Sequence, residues 1–170
     1  MKKLLLTAFF ITTISATTIA QQYASDVTSI DAIIKVLYDV ISDEAGKERD
    51  WARFRNLFAK DARLMPTYKT AEGKFDYRIL TPDEYAERTK SRGNPAFFEW
   101  ELSRKTEEYG SIAHVFTTYA TKQAKDGPIT NRGINSIQLL KDNDRYYIIS
   151  IFWCGEDSGF QLPDKYLGKN

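Results

Sequence analysis

The chain has 170 residues, 24 basic against 23 acidic side chains, a formal net charge of +1 and an aromatic content of 14%. Because nucleic acids and anionic membranes require a clustered positive field, which this balanced chain lacks, we expect neither as a partner. One cysteine, Cys154, excludes an internal disulfide. The stability of the fold must therefore come from packing, to which aromatic side chains contribute large buried areas.

The first residues have the pattern of a secretory signal peptide. Lys2 and Lys3 precede an uncharged stretch, residues 4–20, that ends in Thr-Ile-Ala. We predict cleavage near Ala20, which would leave residues 21–170 as one domain in the periplasm or outside the cell. The alternative is a membrane anchor, but the stretch is short for a span and rich in threonine. We therefore expect no membrane contact after cleavage.

Three amphipathic segments come next in the chain. Apolar residues at helical spacing predict a first helix over about 29–44. Asp50 is a candidate N-cap for a second helix that ends before Asp61. The sequence Thr-Pro-Asp-Glu at 81–84 has the pattern of a capping box, and it predicts a third helix that ends near Lys90.

The strands lie mainly after these helices. A short apolar segment, 62–67, predicts a first strand before an exposed loop over 68–77. Turn residues divide the rest of the chain into four long strands, at about 96–107, 111–124, 129–141 and 145–154. Helices followed by a run of long strands predict a segregated α+β fold with an antiparallel sheet.

Three stretches carry a resemblance to a known superfamily: DWARFRNLFAKDARL at 50–64, GSIAHVFTTYATK at 110–122 and RGINSIQLLKDNDRYYIISIFW at 132–153. They are similar to the nuclear-transport-factor-two-like (NTF2-like, SnoaL-like) superfamily. The resemblance implies a cone-shaped, cystatin-like roll in which three N-terminal helices pack on a curved antiparallel sheet around a pocket. Members include ketosteroid isomerase, SnoaL-like polyketide cyclases, dehydratases and proteins without catalysis, so the site must be argued from its residues.

The resemblance also implies roles for particular residues. Tyr38 resembles the helix-one tyrosine of the isomerase, and Asn135 falls where the isomerase has an acid on its penultimate strand. An amide can still donate a hydrogen bond to a carbonyl or oxyanion. The position of the isomerase base falls near Met65 and Pro66, where this chain has no carboxylate.

Strand alternation and the resemblance together place Val115, Thr117 and Tyr119 on the pocket face. His114, the only histidine, then lies on the opposite face. Imidazole is well matched to proton transfer near neutral pH, so His114 is the candidate catalytic base. The alternative is a histidine at the surface or in a subunit interface.

Other polar residues have simpler interpretations. Glu99 and Glu101 could act as a pair of carboxylates in acid and base catalysis. They alternate with Phe98, Trp100 and Leu102, however, and we expect the glutamates to form a solvated face. Their spacing with the single histidine is not that of a metal site, so we expect no metal. Arg132 could bind an anion, although a salt bridge at the rim is the simpler role.

The last strand is apolar on both sides. Alternation places Tyr147, Ile149, Ile151 and Trp153 on one face, with Tyr146, Ile148 and Phe152 on the other. One face can cover the helices, while the other needs a partner. We expect a homodimer through the outer face of the sheet.

Three functional hypotheses follow. The first is an exported domain, not catalytic or weakly so, that binds a small apolar or carbonyl-bearing molecule through Tyr38, Tyr119 and Asn135 and needs no cofactor. The second is an isomerase, cyclase or dehydratase in which His114 or a rim carboxylate is the base. The third is a structural dimerisation module.

Overall fold

The computed structural model describes residues 21–168, so the predicted signal peptide lies outside the described residues. From Ile30 onward it contains three α-helices and six β-strands. In chain order these are α1 (Ile30–Ile41), α2 (Trp51–Asn56), β1 (Phe58–Lys69), β2 (Phe75–Tyr77), α3 (Pro82–Ser91), β3 (Phe98–Tyr109), β4 (Ile112–Lys122), β5 (Asn131–Asp142) and β6 (Arg145–Gly155). Short 3-10 helices cover Ala24–Val27, Glu156–Ser158 and Asp164–Tyr166.

Each of the three helices begins at a side-chain cap. Ser29 accepts a hydrogen bond from the backbone N–H of Ala32 at the start of α1, and Asp50 accepts one from Arg53 at the start of α2. The predicted capping box of α3 is confirmed, with reciprocal bonds between Thr81 and Glu84. These bonds satisfy N–H groups that the helices themselves leave unpaired.

The strands form one six-stranded curved sheet in the order β2-β1-β6-β5-β4-β3. Neighbouring strands from β3 to β6 are antiparallel, which agrees with the expected fold class. The pairing of β1 with β6 is parallel, so the sheet is mixed. The expected loop after β1 instead forms a hairpin, since β1 continues to Lys69 and its end pairs with β2.

Alternation in β6 is interrupted by a β-bulge. Gln138 pairs with Ser150 and Leu139 with Ile148, which leaves Ile149 without a partner on β5. Ile148 and Ile151 are consequently both buried on the inner face. The prediction that they lie on opposite faces was wrong because a bulge adds one residue and reverses the alternation beyond it.

The helices pack against the inner face of the sheet, where Ile33, Ile34 and Leu37 of α1 are buried. An aromatic cluster joins α2 to its neighbours, since the ring of Phe54 contacts those of Trp51, Phe58 and Tyr85. The core does not fill all the space between helices and sheet. The remaining space is the candidate site.

Candidate functional site

A cavity of about 180 Å³ lies between the helices and the inner face of the sheet. Much of its wall is apolar, formed by Leu37, Ile41, Phe54, Leu64, Phe97 and Ile151. The side chains that bring polar atoms to the wall are Tyr85, Glu99, Tyr119, Asn135 and Trp153. The cavity therefore suits a small molecule with an apolar body and few polar groups.

Asn135 heads a chain of hydrogen bonds that runs behind the cavity wall. Its amide Nδ2 donates to the Tyr38 hydroxyl over 3.2 Å. The Tyr38 hydroxyl lies 3.1 Å from Thr117 Oγ1, which itself donates to Glu101 Oε1 over 2.6 Å. Because the single proton of Thr117 goes to Glu101, Tyr38 must be the donor to Thr117. Every member is thus fixed in orientation by the next.

Glu99 is the most unusual group of the site. Its Oε1 lies 3.4 Å from Asn135 Nδ2, and its backbone N–H donates over 2.9 Å to the hydroxyl of Ser42, just after α1. Burial raises the pKa of Glu99 to about 8, and the hydrogen bond from Asn135 only partly offsets this. The carboxyl is therefore mostly protonated at neutral pH, with Oε2 free to carry the proton.

The two tyrosines near Glu99 are held neutral. Burial raises the pKa of the Tyr38 hydroxyl, and the neighbouring Glu99 carboxyl raises it further. The same two causes, in the same order, raise the pKa of Tyr119. The ring of Tyr119 lies directly over Gly133, where a Cβ atom would come within 2.4 Å of the hydroxyl. Glycine at that position allows Tyr119 to reach the cavity wall.

The expectation that Glu99 and Glu101 form a solvated face was wrong. A second β-bulge, between Glu101 and Ser103, places Glu101 opposite Tyr119 and Glu99 opposite Thr121. Directly paired residues share a face, so both glutamates point inward. Trp100 takes the outer face, where the Lys122 ammonium lies 5.5 Å from its ring centroid.

The sequence-predicted residues separate into two groups. Tyr119 and Asn135 border the cavity, and Tyr38 is buried behind Asn135. His114 lies on the outer face of the sheet, where its Nε2 is 3.0 Å from Ser136 Oγ. As a candidate base for a ligand in the cavity, His114 is therefore wrong, because the sheet lies between them. Arg132 forms the expected salt bridge, with Glu156 at 2.7 Å.

Two open clefts adjoin the cavity. The first, called here the Arg49 cleft, measures about 440 Å³ and shares Ile41, Tyr85 and Phe97 with the cavity wall. The second, called here the Arg78 cleft, measures about 500 Å³ and shares Tyr85 and Trp153 with that wall. Tyr85 on α3 thus borders all three spaces.

Within residues 21–168, no cluster of three His, Cys, Asp or Glu side chains is arranged to hold a metal ion. In the same part of the chain, no helix has the length and apolar character needed to cross a membrane.

The cone of helices on a curved sheet, with a pocket inside it, is the NTF2-like fold, also called cystatin-like. The resemblance seen in the sequence is therefore confirmed at the level of the fold. No protein-family model matches the sequence, and no curated protein matches it.

Solved structures with this fold are similar to the chain. One is the β subunit of a putative aromatic-ring-hydroxylating dioxygenase from Novosphingobium aromaticivorans (14% identity, TM-score 0.58, covering 80% of this chain and 91% of that one). Another is a protein of unknown function with a cystatin-like fold from Nostoc punctiforme (12% identity, TM-score 0.52, covering 84% of this chain and 93% of that one). A third is an NTF2-like protein of unknown function from Silicibacter pomeroyi (14% identity, TM-score 0.50, covering 80% of this chain and 97% of that one). At these identities the likeness concerns the fold alone.

Proposed function

We propose that the protein binds a small, mostly apolar molecule in its cavity and recognises a carbonyl or hydroxyl group on that molecule. The observation that carries this proposal is the position of the Glu99 carboxyl at an otherwise largely apolar wall, with its Oε1 3.4 Å from Asn135 Nδ2. Burial, which raises the pKa of Glu99 to about 8, favours its protonated form at neutral pH. A neutral carboxyl is a donor as well as an acceptor, and Asn135 and Tyr119 supply further polar groups beside it. A carbonyl oxygen could accept from Glu99, and a hydroxyl could donate to it.

The size of the cavity limits the ligand. An apolar cavity of about 150 Å³ is enough to bind benzene. The cavity here, at about 180 Å³, therefore suits a ring-sized or short-chain body with one small polar substituent. A larger ligand would have to extend into one of the adjoining clefts.

The test is a thermal-shift screen with small phenols, ketones, aldehydes and short-chain alcohols. We expect at least one compound to stabilise the wild type but not Asn135→Leu, which removes the amide next to Glu99. Gln138→Leu is the matched control, since it makes the same change at an exposed position of the same strand. Equal stabilisation of the wild type and Asn135→Leu by every compound that binds would contradict the proposal.

A second candidate function is general acid or base catalysis by Glu99 itself. It is favoured by the pKa of about 8, because a group that titrates near neutral pH can both take up and release a proton. In this version Glu99 replaces His114 as the base of an isomerase, cyclase or dehydratase. The catalysed step would be the transfer of a proton from a carbon next to a carbonyl to the ionised Glu99 carboxylate.

Deuterium exchange separates this candidate from binding alone. A carbonyl ligand found in the screen would be incubated with protein in heavy water and followed by mass spectrometry. Catalysis by Glu99 predicts exchange that the wild type accelerates and that Glu99→Gln loses, while the affinity for the ligand stays within about threefold. Exchange that continues at the wild-type rate in Glu99→Gln would rule out this role.

A further inference from the structure

We infer that the Arg49 cleft binds the carboxylate of an organic acid whose apolar body occupies the inner cavity. The inference rests on the proposed function and names the ligand class, an amphipathic organic anion.

Arg49 is a buried cation without a carboxylate partner among residues 21–168. The residue is only 5% exposed, and its guanidinium donates to two backbone carbonyls, Ile41 O at 2.7 Å and Pro95 O at 2.8 Å. The third nitrogen, Nη1, is buried and has no acceptor within residues 21–168. Burying a charge is costly unless an opposite charge or enough hydrogen bonds accompany it. The site is therefore short of one acceptor and one negative charge.

A second unpaired donor lines the same cleft. The indole Nε1 of Trp51 is buried, and in the described part of the chain it has no acceptor either. Indole and guanidinium nitrogens can only donate. A ligand group that satisfies both must be an acceptor, and a carboxylate, with two oxygens and a negative charge, fits that requirement.

The charge around both clefts has one sign. Arg92, exposed at the end of α3, lines both clefts, and Arg78 and Arg88 line the Arg78 cleft. Among the described residues, no aspartate or glutamate lines either cleft. By contrast, Arg53 is paired with Asp26 and Arg132 with Glu156. Unpaired arginines in a cleft with apolar walls attract anions and raise their local concentration.

The position of the cleft accounts for the rest of the ligand. Ile41, Tyr85 and Phe97 border both the cleft and the inner cavity, so a ligand with its apolar body in the cavity and its charged end in the cleft would contact all three side chains. Glu99 at the cavity wall is mostly uncharged at neutral pH, so it does not repel that anion. The inner cavity thus suits the apolar body of the ligand, and the Arg49 cleft suits its carboxylate.

The test is isothermal titration calorimetry with benzoate, phenylacetate and hydrocinnamate, each compared with its neutral amide. In the wild type, at least one acid should bind about tenfold or more tightly than its amide, as expected for a charge-assisted hydrogen bond. Arg92→Gln should reduce the affinity for that acid while leaving the affinity for the amide unchanged. Trp51→Phe should reduce the affinity for the acid more than that for the amide, because the amide oxygen also accepts a hydrogen bond but carries no charge. Lys105→Gln removes an exposed charge at the far end of β3 and should change neither.

The outcomes separate the two proposals. Acids and amides that bind the wild type equally, and lose binding together in Asn135→Leu, would overturn the anion inference and support the cavity. An equal loss of acid binding in Arg92→Gln and Lys105→Gln would also overturn it, because the effect would then come from overall charge. No binding of any of the three acids, when a neutral compound from the thermal-shift screen still binds, would overturn the anion inference and leave the cavity proposal standing.

Discussion

Glu99 has an energetic cost that the rest of the fold must offset. Its raised pKa means that the folded protein holds a proton that the unfolded chain releases, over a range from the ordinary value of 4.5 to about 8. In that range the folded state binds more protons than the unfolded state, so stability falls as the pH rises. A carboxyl kept at such a cost is a mark of functional sites more often than of structural ones.

Glu99→Gln should remove this pH dependence. The amide has nearly the same shape as the protonated carboxyl but does not ionise. We expect the variant and the wild type to have similar free energies of unfolding near pH 4.5. Toward pH 8 the free energy of unfolding of the variant should exceed that of the wild type by a difference that grows by up to about 1.4 kcal/mol per pH unit. Urea unfolding at several pH values measures the difference.

The control is Glu107→Gln, an exposed glutamate on the same strand. It should leave the pH dependence of stability as it is in the wild type. Parallel pH profiles for the wild type and Glu99→Gln would show that Glu99 titrates normally in the folded protein.

At the level of helices and strands, periodicity and caps predicted most of the fold. Asp50 and Thr81 cap their helices as the sequence predicted, and the four long strands begin and end within a few residues of their predicted bounds. These features depend on local residues, such as Thr81 with Glu84, and a local pattern can be read directly from the sequence.

The candidate site was less predictable because two bulges determine which side chains face it. Without the bulge after Glu101, the pairing set by the β3–β4 turn would place Glu101 opposite Ala120 on the outer face. The bulge at Ile149 similarly brings Ile151 and Trp153 to the inner face. An extra residue in a strand leaves no clear mark in composition, so a strict period of two assigns these side chains to the wrong face.

Thr81→Ala tests how far α3 depends on its cap. The substitution removes the side-chain oxygen that accepts from the backbone of Glu84. We expect a loss of about 1 kcal/mol in the free energy of unfolding, measured by chemical denaturation. Because Tyr85 and Arg92 are positioned by α3, binding in the cavity should weaken in the same variant.

Thr81→Ser keeps the hydroxyl and is the matched control, with stability close to that of the wild type. If the alanine and serine variants were equally stable, the cap would contribute nothing measurable to α3.

At the level of the whole molecule, the outer face of the sheet exposes large apolar side chains. Ile112 is 62% exposed, and its strand neighbour Leu140 and, further along the same face, Phe152 are also exposed. The chain covers part of this face itself, since the ring of Tyr166 packs 5.4 Å from that of Phe116. We propose that a second copy covers the exposed part, in the homodimer expected from the sequence.

Light scattering after size-exclusion chromatography tests this proposal. The wild type should elute as a dimer at micromolar concentration, and Ile112→Lys should weaken the dimer by at least about tenfold, because it buries a charge without a partner. Ile129→Lys, which makes the same change in the exposed segment between β4 and β5, should remain dimeric. A wild type that elutes as a monomer at high concentration would contradict the proposal.

The parallel contact of β1 with β6 also constrains the order in which the protein can fold. Leu64 and Ile151 are neighbours in the sheet although about half of the chain separates them. During synthesis β1 emerges before β6, which is the strand it pairs with. The sheet therefore cannot form completely until almost the whole chain is available. A ribosome-bound chain that stops before Arg145 should therefore remain sensitive to protease, whereas a chain that extends past Gly155 should become resistant.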